Sequence, residues 1–171
     1  MNITKNFTLA ELTKTSTGIS NQPNRQETNA LIKLCGKVLQ PARDLYGGAI
    51  YVNSGFRSFA VNRAVGGARN SQHMRGEAAD ITVHSKEKNK ILFELIRDNL
   101  SFDQLINERD FSWVHVSYRS EEENRMQVLN LWEVRGKGYE VRGAGYVVPI
   151  KFLYKRDIVR RAEKQARKAE K

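Results

Sequence analysis

The sequence predicts an α+β fold in which a small antiparallel sheet packs against helices. Three observations carry that expectation. Leu31, Leu34, Cys35, Val38 and Leu39 recur at helical spacing within 25–46. A second helical pattern covers 86–99, with Ile91, Leu92, Leu95 and Ile96 expected to face the core. The runs FDQLINE (102–108) and SWVHVSY (112–118) are rich in β-formers and separated only by a tight connection around Arg109 and Asp110, which makes them a hairpin.

The remaining elements follow from local signals. In FTLAEL (7–12), Thr8 stands three residues before Glu11, the pattern of a capped short helix. The turn-rich stretch 15–24 leads into the long amphipathic segment, which the glycine pair at 47–48 stops. AIYVNS (49–54) reads as a strand, FAVNRAVGG (59–67) as a short helix closed by glycines, and AADITV (78–83) as a second strand. Ser85 is placed to cap the helix over 86–99. Residues 126–149 combine glycines with β-formers and suggest strands or irregular wrapping. One domain over 1–150 is expected, followed by a basic C-terminal helix over 151–171.

Composition narrows the function classes. The formal net charge is +10, yet 151–171 alone holds nine basic and three acidic residues, so the body is only mildly basic. That distribution argues against nucleic acid as a partner, because no base-reading motif or aromatic interleaving accompanies the charge. The basic tail could instead project into solvent or attach to an anionic wall or membrane surface. The single cysteine, Cys35, lies in the apolar stripe of the first long helix and reads as a core residue. No run approaches the length of a membrane span, and the first residues lack the apolar stretch of a signal peptide. A chain made in the cytoplasm is expected.

SQHMRGEAAD (71–80) sets His73 in a loop and Asp80 at the start of a strand. His115 lies within the later strand, where alternation puts Trp113, His115 and Ser117 on one face and Val114 and Val116 on the other. Two histidines and a carboxylate could supply the three protein ligands of a catalytic zinc. Spacing alone equally allows a satisfied structural histidine. His84, beside charged residues and a helix cap, is expected at the surface.

The ordered string SGFRS (54–58), VNRAVGG (61–67), SQHMRGEAAD, FDQLINE and WVHVSY closely resembles the M15 family of zinc D,D-peptidases, particularly the small domains of phage and bacterial cell-wall hydrolases. Ser71, His73, Gly76, Ala78 and Asp80 meet the family signature in full, and the resemblance covers about 7–118. It implies a hedgehog/DD-peptidase-like fold whose sheet carries one zinc ion on His73, Asp80 and His115. It also implies that Arg57 orients substrate or stabilises an oxyanion, with a structural salt bridge as the other reading. Ser71, Gln72 and Trp113 are the candidate substrate contacts, although Ser71 could simply cap its own loop.

The reaction also needs a general base. Many family members carry a glutamate three residues before the last ligand, or a histidine two before it. Here those positions are Ser112 and Trp113, and neither can accept the proton. Glu108 is the first candidate and Asp110 the second. The expected activity is hydrolysis of peptidoglycan stem or cross-bridge peptides by a monomeric phage or prophage endolysin that reaches the wall through a holin-like route. The alternative is a non-catalytic zinc-containing module that binds the wall or belongs to a virion. Residues 119–150 are assigned, by elimination, to a lid and specificity segment.

Overall fold

The computed structural model describes residues 1–134, 138–143 and 146–150, with the strands beyond 130 described by their backbone alone. Helix α1 (Leu9–Leu12) begins as expected, with Thr8 Oγ1 accepting from the Glu11 amide at 3.2 Å. Helix α2 (Arg25–Leu34) starts at a capping box that spacing had not flagged: Asn24 Oδ1 accepts from the Glu27 amide while the Glu27 carboxylate accepts from the Asn24 amide. A single π-helical turn, Cys35–Leu39, joins α2 to α3 (Gln40–Tyr46) without a break in helical dihedrals. Pro41 follows this wider turn. A proline has no N–H to donate and crowds the carbonyl four residues back, so the ladder is relieved there by widening. Gly47, at φ 70°, ends the segment.

Strand β1 (Tyr51–Ser54) precedes helix α4 (Phe59–Ala64), which is capped by Ser58. A 3₁₀ turn, Gln72–Arg75, then leads into β2 (Ala78–Thr82). Helix α5 (Lys86–Asn99) is capped by Ser85 as expected. Strands β3 (Gln104–Glu108) and β4 (Trp113–Ser117) form the hairpin, followed by β5 (Gln127–Val134), β6 (Gly138–Gly143) and β7 (Tyr146–Ile150). The order across the sheet is β1-β2-β4-β3-β5-β6-β7. All neighbours are antiparallel except β3 and β5, which run parallel. Strands β5, β6 and β7 thus continue the sheet beyond β3. The basic helix expected over 151–171 lies outside the described residues.

One face of the central strands meets the helices. Ala79 and Ile81 of β2, Leu105 of β3, and Val114 and Val116 of β4 pack with Leu31, Leu34, Val38 and Leu39 from the long helical segment and with Leu92, Phe93 and Ile96 of α5. Burying each large apolar side chain contributes about 1.5–3 kcal/mol, so this two-sided layer is the main source of stability. Cys35 is fully buried in it, and burial pushes its thiol up to about 12, which fits a packing role. His84 is exposed, as expected. Among the described residues, no helix is long and apolar enough to cross a membrane.

The face of α5 differs from the expected one. Its buried residues are Asn89, Leu92, Phe93 and Ile96, whereas Ile91 is 51% exposed and Leu95 only partly covered. The reason is Asn89, a polar residue that belongs to the inward stripe. Its amide nitrogen donates to the carbonyls of Phe111 (2.8 Å) and Ser112 (3.1 Å), and its oxygen accepts from the Val83 amide at 2.8 Å. This one side chain ties the end of β2 to the turn of the β3–β4 hairpin. That turn needs the tie, because Arg109, Asp110 and Phe111 all have positive φ (49°, 54° and 57°), a conformation costly for residues with a side chain. Asn89→Ala is therefore expected to lower the unfolding free energy by about 2–3 kcal/mol. Ile91→Ser should change it by less than about 0.5 kcal/mol. Urea denaturation of both variants checks the pair, and a larger loss from Ile91→Ser would put the face of α5 in error.

Candidate metal centre

Residues directly opposite each other in paired strands point to the same side of a sheet. Asp80 on β2 faces His115 on β4, Ser54 on β1 faces Asp80, and Ile106 on β3 faces His115. The valines flanking His115 are sealed in the core, so His115 emerges on the opposite face. The alternation read from the sequence is therefore the alternation observed. A register irregularity in β1 between Val52 and Ser54 brings Ser54 into this row.

His73 arrives from outside the sheet, on the 3₁₀ turn. Gly76 ends that turn at φ 71°, and a Cβ at this position would collide with the backbone carbonyl of Glu27 in α2. Only glycine meets both demands, and the close approach presses the turn onto the helix. Gly55 has a second part: its carbonyl lies 2.7 Å from His73 Nδ1. A carbonyl can only accept, so Nδ1 carries the proton and Nε2 of the neutral ring presents a bare lone pair.

Nε2 of His73, Nδ1 of His115 and Oδ1 of Asp80 converge. His115 Nδ1 lies 2.9 Å from Asp80 Oδ1 and 3.3 Å from His73 Nε2, and His73 Nε2 lies 3.4 Å from Asp80 Oδ1. All three residues are buried, and their ligand atoms lie within 4.8 Å of one another. The second carboxylate oxygen, Oδ2, accepts from Arg57 Nη2 at 2.8 Å. Arg57 in turn donates from Nε to Ser54 Oγ and from its backbone amide to the carbonyl of His73.

The protonation states suit a cation. Burial is the largest influence on His73 and pushes its pKa down, outweighing the attraction of Asp80, so the ring is neutral near pH 7. Burial alone would raise Asp80, but its two histidine partners, His115 with a hydrogen bond from Nδ1, hold it well below the usual carboxylate range. Metal ligation requires deprotonated ligands, and this is the state in which the pair stands. Two nitrogens and one carboxylate oxygen, with a charged partner on the other oxygen, fit a single divalent ion of the zinc type.

The other expected residues fall into three groups. Glu108 is buried on β3 directly opposite Trp113, on the same sheet face as His115 and one alternation beyond it, roughly 6.6 Å along the strand. Trp113 is half-buried, and the Arg109 guanidinium lies over its ring at 5.4 Å. Asp110 stands at the exposed hairpin tip, where its carboxylate pairs with Lys86 at 3.1 Å. Ser71 precedes the 3₁₀ turn, but its hydroxyl does not cap it. Gln72 donates to Asp103 Oδ2 at 2.8 Å.

Ser54, Gly55, Asn89 and Asp103 were not singled out as functional in the sequence. Ser54 and Gly55 lie inside SGFRS, so the string that exposed Arg57 contained the signal. Asp103 is wholly buried and holds Arg125 through Nε (2.8 Å) and Nη2 (2.6 Å). Its burial would raise its pKa, but Arg125 and Gln72 outweigh that and keep the carboxyl ionised below its ordinary value. Nothing in the pattern around FDQLINE distinguishes this aspartate from a strand-end turn residue.

Comparison with known proteins agrees with this geometry. The chain is 42% identical over 85 residues to the zinc D-Ala-D-Ala carboxypeptidase of Streptomyces albus G, a match covering 47% of this chain and 32% of that relative. The aligned stretch thus spans about a third of the relative's length. The family model described as Peptidase M15 matches residues 5–117, more than half of the sequence and every residue of the converging cluster. The chain belongs to the peptidase M15 family.

Proposed function

We propose that the chain is a zinc-dependent peptidase hydrolysing peptide bonds of peptidoglycan stem or cross-bridge peptides, with His73, Asp80 and His115 holding the ion. The observation that carries this reading is the convergence of Nε2, Oδ1 and Nδ1 on one point in a member of this family. The name of the Streptomyces relative supports both the metal and the substrate class. A zinc ion bound there supplies Lewis-acid activation of water and of the scissile carbonyl.

The chain's own residues supply the rest. Glu108, on the face of the sheet that carries His115, is the base: its carboxylate accepts a proton from the attacking water and returns it to the departing amine nitrogen. Arg57 fixes Asp80 through Oδ2 and keeps a positive charge beside the reacting carbonyl, where negative charge develops. Ser71 and Trp113 line the approach for substrate. Residues 119–150, whose strand β5 pairs with the strand carrying Glu108, act as the specificity segment. A net charge of +10 suits an anionic wall, and the resemblance of the motif string to phage hydrolases favours a phage or prophage lytic enzyme.

Purified protein is expected to release new amine groups from peptidoglycan, to stop on chelation and to recover when zinc is restored. Mass spectrometry of the fragments identifies the bond cut. Wall binding that depends on zinc and releases no amine would establish the non-catalytic module instead. Glu108→Gln should reduce kcat by roughly 10²–10⁴-fold with zinc content unchanged. Asp110→Asn should stay within about twofold, because an exposed carboxylate paired with Lys86 contributes little. Full activity of Glu108→Gln would move the base elsewhere.

A further inference from the structure

Gln72 is next to a metal ligand, the position that makes it a candidate substrate contact. Its side chain is engaged elsewhere. The amide nitrogen donates at 2.8 Å to Asp103, a carboxylate with no exposure to solvent. Asp103 is anchored in three further ways. Arg125 donates to it from its backbone amide, Nε and Nη2. The Asp103 amide donates to the carbonyl of Ser117 at 2.7 Å, and its own carbonyl accepts from Gln127 at 3.0 Å. Asp103 therefore sits where β4 ends and where β3 and β5 begin, and Gln72 reaches it from the 3₁₀ turn.

We infer that Gln72 is a positioning residue of the metal centre: clamped by the Asp103–Arg125 pair, it fixes the turn that presents His73 to Asp80 and His115. The turn has other moorings on its far side, the contact of Gly76 with α2 and the His73 bond to Gly55. Toward the strand layer holding His115, Gln72 is a side-chain tether of the turn, beside the bond from the Tyr118 amide to the Glu77 carbonyl. Ser117, whose carbonyl Asp103 engages, is two residues from His115 on β4. One carboxylate thus links the turn that carries one ligand to the end of the strand that carries another. The inference needs only the three-ligand centre and is independent of the substrate.

The test is zinc affinity of the full chain near neutral pH, measured by competition with a chromophoric chelator. Gln72→Ala is expected to weaken zinc binding by roughly 10–100-fold, the usual cost of losing an outer partner of a ligand. Asp103→Asn should act in the same direction, and the double variant should be little weaker than either single one, as for two members of one linkage. Gln72→Lys, which keeps a donor for the carboxylate, should restore most of the affinity. The visible absorption of the Co²⁺-loaded protein reports ligand geometry and should change in Gln72→Ala. Should Asp103→Asn fail to fold, Gln72→Ala and Gln72→Lys decide the matter alone. Unchanged zinc affinity in Gln72→Ala overturns the inference, and a raised KM alongside it would return Gln72 to substrate contact.

Discussion

The buried carboxylate of Asp80 is the constraint on which the site depends. Its two oxygens divide the work, Oδ1 toward the histidines and Oδ2 toward Arg57. Taking a carboxylate out of water costs several kcal/mol unless hydrogen bonds and opposite charge replace the solvent. Here the replacements come from three separate parts of the chain. β4 sends His115, the 3₁₀ turn sends His73, and the segment after β1 sends Arg57. None of these can shift without leaving Asp80 undersatisfied, so a single buried charge locks the relative placement of three elements.

The sheet makes this affordable by keeping its two faces chemically separate. Every residue of β2 is buried, yet Ala79 and Ile81 enter the apolar layer while Ala78 and Asp80 lie on the opposite side. β4 repeats the division with Val114 and Val116 against His115 and Ser117. The apolar face supplies the free energy that holds the strands in register. A slip of one residue would exchange Asp80 for Ile81 at the centre, so the valines and isoleucine that never touch the site determine its geometry.

This explains which features were legible in the sequence. Element boundaries set by local chemistry, such as the Ser85 cap, the glycine stop at 47 and the period-two pattern of WVHVSY, appear where the residues place them. The three converging residues were readable because their motif is contiguous or strand-encoded. The buried face of α5 was not, because periodicity counts apolar residues and Asn89 is a polar member of the buried stripe. Asp103 and Gln72 were equally opaque. Their meaning lies in a contact between residues 31 apart, and no local pattern encodes it. The neighbourhood of Gln72 suggested substrate, while its hydrogen bond points inward to the scaffold.

The same contacts fix which atoms of the centre face the ion as acceptors. With His73 Nδ1 committed to the Gly55 carbonyl, both His73 Nε2 and Asp80 Oδ1 are acceptors, and they lie 3.4 Å apart. Two lone pairs at that separation repel unless something positive lies between or beside them. His115 Nδ1 lies beside both, at 2.9 Å from Asp80 Oδ1 and 3.3 Å from His73 Nε2. A divalent ion held by the three ligand atoms would supply that positive charge, with His115 binding through a deprotonated Nδ1. The fold therefore brings the three ligand atoms together in advance, through strand register and the anchored His73 ring. Since burial favours neutral His73 and its partners favour ionised Asp80, the folded chain offers these two ligands in the form that binds metal and need not first expel a proton from either.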